Sequence, residues 1–177
     1  MDCRLAESPV LFLGWGNPSR GDDAIGPLLC DWLSDFVVSS DLNHCEVQQD
    51  FQLQIEDAMD LVGRDLVVFI DASLNAARPF SFEEIAPCSD GSVTTHAMSP
   101  QAVLAVSREI LGTSPPAFVL AVRGETFELG EGLSSAAAAH LEAARQVLYA
   151  IATANDPVTL CRQRIVSDTP EPAPSSA

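Results

Sequence analysis

The stretch from Leu11 to Gly26, LFLGWGNPSRGDDAIG, constrains the fold more than any other part of this chain. A short apolar run enters a glycine-rich turn, and the turn brings two adjacent carboxylates, Asp22 and Asp23, to the start of an apparent helix. Glycines in the turn permit backbone angles that a Cβ atom forbids. One acidic residue at a helix start is ordinary capping. Two acidic residues behind a Gly-x-Gly-Asn turn indicate a functional site.

The order of apolar runs and helical patterns predicts an α/β fold. Short continuous apolar runs are typical of strands buried on both faces, and they alternate here with segments of helical spacing. We expect a single-domain three-layer sandwich, in which helices flank a twisted, mainly parallel sheet of about five strands. Residues 80–85 alternate, which indicates an edge strand. Strands are predicted at 9–14, 44–50, 66–70, 80–85 and 117–122, and helices at 24–37, 53–61, 100–111 and 134–154.

The length of 177 residues favours one domain with a substantial core. We expect an N-terminal extension over residues 1–8, a folded domain over 9–155 and a C-terminal extension over 156–177. Residues 167–177, at least, form a Pro/Ser-rich tail that is expected to be disordered.

Charge and cysteine content exclude several classes of partner and site. The chain has 25 acidic against 9 basic residues, a net charge of −16, which would repel nucleic acids and anionic membranes. Its five cysteines form no C-x-x-C pair, and their odd number argues against a disulfide framework. The N-terminus does not have the pattern of a signal peptide, and no apolar run reaches membrane-spanning length. We therefore expect a cytoplasmic protein.

Three polar features follow predicted strands or precede a predicted helix. Asp22 and Asp23 follow the first strand, Asp71 directly follows the third, and His96 precedes the helix that Ser99 is expected to cap. In a doubly wound sheet such positions meet at the carboxyl edge. Two carboxylates and an imidazole suit a divalent metal ion. Each residue alone is equally explained as a cap, turn or loop residue, so only their joint occurrence favours a site.

Other chemistries are less well supported by the sequence. Ser19 occupies the third glycine position of a dinucleotide-binding turn, no P-loop lysine is present, and two acidic residues would repel a pyrophosphate. A G-x-S-x-G elbow and an H-E-x-x-H helix are both absent from the sequence. A nucleophilic hydrolase remains a minor alternative, in which His96 would act with Ser73, Ser99 or Cys88.

The first motif resembles that of the [NiFe] hydrogenase maturation proteases, endopeptidases that trim the C-terminus of the hydrogenase large subunit. Its family pattern, G-x-G-N followed by four residues, D, then D or E, two residues and G, is matched here at every fixed position. The resemblance continues through FQLQIE at 51–56, VVFIDAS at 67–73, THAMSP at 95–100 and GETFELGEGLS at 124–134. Ordered motifs that together span about residues 10–150 are far more specific than any one of them.

The resemblance implies an endopeptidase that processes a large-subunit precursor after nickel insertion and recognises the nickel held by that substrate. Asp23, Asp71 and His96 would be the catalytic and nickel-contacting residues. We expect Asp22 to hold the turn as a helix cap. Other residues would support the turn or form a substrate groove, and these are Gly14, Gly16, Asn17, Gln52 and Glu56.

The sequence departs from some family members at two positions. Some members have glutamate where Asp23 stands, and some place the histidine after the Ser-Pro, where Gln101 stands here. The resemblance implies the hydrogenase precursor as the partner, a monomer is expected, and the attacking nucleophile is left open. A non-proteolytic nickel-dependent chaperone or metal-binding module of the same fold is the alternative function.

Overall fold

A five-stranded sheet lies at the centre of the computed structural model, which describes residues 8–88 and 98–168. The strand order is β2-β1-β3-β5-β4. The strands are β1 (Val10–Trp15), β2 (Cys45–Asp50), β3 (Leu66–Ser73), β4 (Phe80–Ile85) and β5 (Ala117–Arg123). The helices are α1 (Ile25–Ser39), α2 (Pro100–Leu111), α3 (Ser135–Ala152) and α4 (Pro157–Asp168), with short 3-10 helices at Gly21–Ala24 and Ile55–Met59.

All neighbouring strands are parallel except β4, which pairs antiparallel with β5 at one edge of the sheet. Within β4, Phe82 is buried while Glu83 and Glu84 are exposed. The predicted mainly parallel five-strand sheet is confirmed, and the strand order confirms the edge position of residues 80–85. Charged side chains such as these are common on edge strands.

Helices cover both faces of the sheet and complete the three predicted layers. Phe12 and Phe118 belong to the apolar core under α1, α3 and α4. Phe69 belongs to a second core cluster on the other face, where α2 and the second 3-10 helix lie. All three phenylalanines are fully buried. The continuous apolar sequence of the central strands therefore reflects burial on both faces.

The helix α2 has the predicted bounds because its end signals are strong. The Ser99 hydroxyl accepts a hydrogen bond from the Ala102 N–H at 3.2 Å, and Pro100 is the first helical residue. Gly112 ends the helix with a φ of 70°. A polar cap, a proline at the first position and a glycine at the end are each favoured at these places.

Two predicted elements differ from the structure. The strand β3 continues past Ile70 to Ser73, because its main chain stays paired with β5 as far as Arg123. Asp71 therefore lies within β3 near its carboxyl end and does not follow it. The helix predicted over 53–61 is only the 3-10 helix Ile55–Met59.

The helix α4 was not predicted, and it lies within the proposed C-terminal extension. Cys161 is fully buried in the core that lies under α1 and α3. Arg162 forms an ion pair with Glu84 of β4 at 2.8 Å. The helix reaches Asp168, which is inside the tail expected to be disordered, and residues 169–177 of that tail lie outside the described residues. Across 8–88 and 98–168, no helix is both long and apolar enough to cross a membrane.

Candidate functional site

The candidate site lies at the carboxyl edge of the sheet, between the two strands where the strand order reverses direction. From β1 the chain continues to β2 on one side, whereas the strands that follow β3 lie on its other side. The carboxyl ends of β1 and β3 are neighbours, with Gly14 paired to Ile70 in register. In open α/β sheets, ligands bind beyond the strand ends at such a reversal. Asp71 is the residue of β3 that follows Ile70, and Asp23 lies in the short 3-10 helix Gly21–Ala24 that follows the turn after β1.

The turn after β1 fixes the Asp23 carboxylate through main-chain contacts. The Asn17 N–H donates to Asp23 Oδ2 at 2.9 Å. The Asn17 side chain in turn accepts a hydrogen bond from the Ser19 N–H at 2.9 Å, which stabilises the turn itself. Gly16 has a φ of 145°, and a Cβ there would lie 2.1 Å from the Asp23 carbonyl oxygen. Only glycine allows the chain to pass this close to Asp23.

Gly14 brings the helix α1 against the end of β1. A Cβ at this position would lie 2.4 Å from Cys30 Sγ and 3.3 Å from the Gly26 carbonyl oxygen. Burial raises the pKa of the Cys30 thiol to about 12. Because this thiol stays protonated at neutral pH, Cys30 packs the helix and is not a nucleophile.

Asp22 is fully buried and is held by a distant loop. Its carboxylate accepts hydrogen bonds from the N–H groups of Glu125 at 2.7 Å, Thr126 at 3.1 Å and Ser134 at 2.7 Å. The Ser134 hydroxyl donates a fourth bond at 2.8 Å. Burial alone would raise the pKa of Asp22, but these hydrogen bonds outweigh it and hold the pKa below its usual value. The carboxylate thus joins the turn to the loop 124–134. The expectation that Asp22 caps the helix after the turn is wrong, because neither that 3-10 helix nor α1 has a side-chain cap hydrogen bond.

Asp71 has the opposite electrostatic environment. Burial raises its pKa to about 7, although the hydrogen bond that its Oδ1 accepts from the Ala72 N–H, 2.8 Å long, acts in the other direction. The negative charge of Asp23 raises the pKa further. The two carboxylates are therefore electrostatic neighbours, and a cation between them would favour ionisation of Asp71.

A cleft of about 170 Å³ opens beside Asp71, between the sheet and the first turn of α2. Its polar lining includes Glu83 and Ser81 of β4 and Gln101 of α2, and Trp15 closes one end. Glu83 and Gln101 were not predicted as lining residues. The alternation within β4 was a usable signal, because Ser81 and Asp71 pair with the same residue of β5 and so share one face.

The remaining predicted site residues either do not line this cleft or lie outside the described residues. His96 lies outside them. Gln52 and Glu56 have exposed side chains in the segment that follows β2. Within 8–88 and 98–168, no group of three or more His, Cys, Asp or Glu side chains could hold a metal ion. The two carboxylates provide hard oxygen donors for a divalent ion, and an imidazole would complete the expected set.

Comparisons with known proteins agree with the architecture. No protein-family model and no curated protein matched the chain. Among solved structures, a [NiFe] hydrogenase maturation protease HycI from Thermococcus kodakarensis is 21% identical, with a TM-score of 0.62 over 80% of this chain and 90% of that one. The hydrogenase maturating endopeptidase HybD from E. coli is 24% identical, with a TM-score of 0.59 over 80% and 91% of the two chains. A solution structure of an endopeptidase from Escherichia coli is 26% identical, with a TM-score of 0.57 over 80% and 91%.

In each of these comparisons the aligned part covers about nine tenths of the solved structure. The α/β architecture predicted from the apolar runs is thereby confirmed, and so is the resemblance inferred from the ordered motifs. This chain has the fold of the [NiFe] hydrogenase maturation proteases.

Proposed function

We propose that this protein is an endopeptidase that removes the C-terminal extension of a [NiFe] hydrogenase large-subunit precursor once nickel has been inserted. The observation that carries the proposal is that Asp23 and Asp71 are electrostatic neighbours beyond the strand ends where the strand order reverses. Each carboxylate accepts a hydrogen bond from a main-chain N–H, which fixes its position. Structural neighbours named as hydrogenase maturation peptidases support the same activity.

In this proposal, the nickel arrives with the substrate and is recognised by Asp23, Asp71 and His96. Two neighbouring carboxylates without a cation repel, which adds to the effect of burial in raising the pKa of Asp71 to about 7. A precursor that carries nickel removes that repulsion, whereas an empty precursor does not. Selectivity for the metal-loaded precursor then arises from the metal itself and needs little reading of peptide sequence.

The same raised pKa suits Asp71 to proton transfer near neutral pH, because a general acid or base works best when its pKa lies close to the working pH. Two routes of attack on the peptide bond are consistent with this arrangement. One is a water activated by Asp71, and the other is a peptide carbonyl polarised by the substrate's nickel. Both proceed without a serine or cysteine nucleophile.

The test is incubation of the purified protein with nickel-loaded large-subunit precursor, followed by mass spectrometry of the precursor's C-terminus. We expect a loss of mass with the wild type and none with Asp23→Ala, Asp71→Ala or His96→Ala. Asp35→Ala, which changes an exposed aspartate of α1, is the matched control and should process normally. Nickel-free precursor should remain intact, and inhibitors directed at serine or cysteine should have no effect.

Binding of the nickel-loaded precursor without any loss of mass would contradict the peptidase assignment. It would favour a nickel-dependent chaperone of the same fold. Full processing by His96→Ala would remove that histidine from the proposed site while leaving the two carboxylates in place.

A further inference from the structure

An apolar groove of about 280 Å³ lies beside the turn that holds Asp23. We call it the Phe51 groove. It runs between the first turns of α1 and the carboxyl end of β2, and no residue proposed for catalysis lines it. Its lining residues are Pro18, Pro27, Leu28, Asp31, Gln49, Asp50 and Phe51.

The groove exposes apolar side chains that a folded chain usually buries. Phe51 is 67% exposed and Leu28 is 38% exposed. In the 3-10 helix that follows Phe51, Ile55 and Met59 are also 51% and 69% exposed. Burial of a side chain as large as phenylalanine against a partner is favourable, because it removes apolar surface from water. Exposed apolar surface concentrated beside a candidate site is typical of a binding surface.

A main-chain hydrogen bond connects the groove to the candidate site. The Gly16 N–H donates to the carbonyl oxygen of Asp50 at 3.1 Å, so the Asp23 turn and the end of β2 are directly bonded. Pro18 adjoins Asn17, whose N–H holds the Asp23 carboxylate. A ligand in the groove and a ligand at Asp23 are therefore separated only by this turn.

The shape of the adjoining strand favours an extended peptide as the occupant. The strand β2 lies at the edge of the sheet. The carbonyl groups of His44 and Asp50 accept hydrogen bonds from β1. Because main-chain groups alternate along a strand, those of Val47 and Gln49 point away from β1, toward the open edge. Such an edge can add a strand from another chain.

The acidic residues of the groove favour a peptide with basic residues. Asp31 and Asp50 lie at the rim of the groove, and Gln49 Nε2 donates to Asp31 Oδ1 at 3.1 Å. The whole chain has a net charge of −16. Lysine or arginine beside an apolar residue would complement both the lining and the rim.

From these observations we infer that the Phe51 groove binds an extended segment of the precursor in which an apolar side chain is flanked by basic residues. The inference rests on the proposed function, since it concerns the same substrate. Binding there would orient the precursor so that its nickel approaches Asp23 and Asp71.

The test is steady-state processing of nickel-loaded precursor, with KM and kcat measured separately. We expect Phe51→Ala to raise KM about tenfold, equivalent to about 1.4 kcal/mol, and to change kcat less than twofold. Val38→Ala is the matched control, because Val38 is 78% exposed on α1 and does not line the groove. Thermal unfolding of both variants should match the wild type, since neither side chain is buried.

A second pair of variants tests the charge argument. Asp31→Asn should raise KM about threefold at low ionic strength, and the difference should vanish near 0.5 M salt, where exposed charges are screened. Asp35→Asn, an exposed aspartate one helical turn further along α1, should change KM much less. Equal effects of the two substitutions would mean that only net charge matters, which would overturn the role of the groove rim.

A photocrosslinker in place of residue 51 reports docking without requiring cleavage. We expect it to label the precursor, whereas the same group at Ile110, which is 70% exposed on α2, should not. Unchanged KM in Phe51→Ala, or equal labelling from both positions, overturns the inference. If the variant with the photocrosslinker at residue 51 labels the precursor while the wild type cleaves nothing, the proposed peptidase function fails and the docking surface stands.

Discussion

The Ser134 hydroxyl donates to the buried carboxylate of Asp22 at 2.8 Å, while the same oxygen accepts the N–H of Ala137 at 3.1 Å. One side chain thus caps α3 and completes the hydrogen bonds of an aspartate in the first motif. The first motif and the loop 124–134 are consequently one structural unit. This relationship gives a physical reason why the segment 124–134, which is rich in glutamate and glycine, accompanies the first motif.

Substitution of Asp22 should destabilise the fold much more than substitution of Asp23. Asp22→Ala leaves the N–H groups of Glu125, Thr126 and Ser134 without their acceptor, so we expect a loss of about 3–5 kcal/mol in the free energy of unfolding. Asp23→Ala removes a half-buried acceptor of one N–H and should cost about 1 kcal/mol. Urea unfolding followed by circular dichroism measures both. Equal losses would contradict the separation of roles.

Substitutions of Asp22 and Ser134 should not be additive. Each single alanine variant breaks the bonds between the two residues, so the double variant has less left to lose. We expect a coupling energy of about 1–2 kcal/mol from the double-mutant cycle. Additive losses, measured by the same urea unfolding, would show that the two residues stabilise the fold independently.

Asp71 should make the protein less stable as the pH rises. Its pKa is about 7 in the folded protein, above its ordinary value of 3.8. Between these values the folded chain retains a proton that the unfolded chain has released, so the free energy of unfolding falls with rising pH. Asp71→Asn removes this effect and should be more stable than the wild type by roughly 2–4 kcal/mol at pH 8.

The measurement is the difference in unfolding free energy between Asp71→Asn and the wild type from pH 4 to pH 8. The difference should grow across this window and level off above pH 7. A constant difference would show that the Asp71 carboxyl has an ordinary pKa in the folded protein.

A histidine at position 101 should replace His96 in part. Gln101 lines the same cleft as Asp71, and it occupies the position at which some family members have their histidine. We expect His96→Ala to abolish precursor processing and the added substitution Gln101→His to restore at least a tenth of it. Gln146→His, at an exposed position of α3, is the control and should restore none. Equal recovery in both double variants would contradict a site-specific role.

The helix α4 should prove to be part of the folded core. Cys161 is fully buried, so Cys161→Asp places a carboxyl group in an apolar environment and should cost several kcal/mol, on the order of 3 or more. Cys88 is exposed, and Cys88→Asp should leave the melting temperature nearly unchanged. Equal melting temperatures for the two variants would show that α4 is dispensable for stability.

The sequence predicted the sheet well because a strand buried on both faces has an unmistakable composition. The helix α4 was missed for the complementary reason, since much of Pro157–Asp168 is polar and only a few side chains, among them Cys161, enter the core. Asp23 and Asp71 were identifiable because polar residues at strand ends are conspicuous beside apolar runs. By contrast, the sequence could not predict that Glu83 and Gln101 line the cleft beside Asp71, because this depends on how β4 and α2 pack together.

The hydrogen bonds that Asp22 accepts also determine how late in synthesis the candidate site can form. They connect residues 103 to 112 positions apart in the chain. During synthesis, the first motif leaves the ribosome long before Ser134 does, and contacts between such distant segments form late. A nascent chain that already contains Asp22 and Asp23 therefore lacks the hydrogen bonds from the loop 124–134 that position their turn. Competence to bind is acquired only when most of the protein has been made.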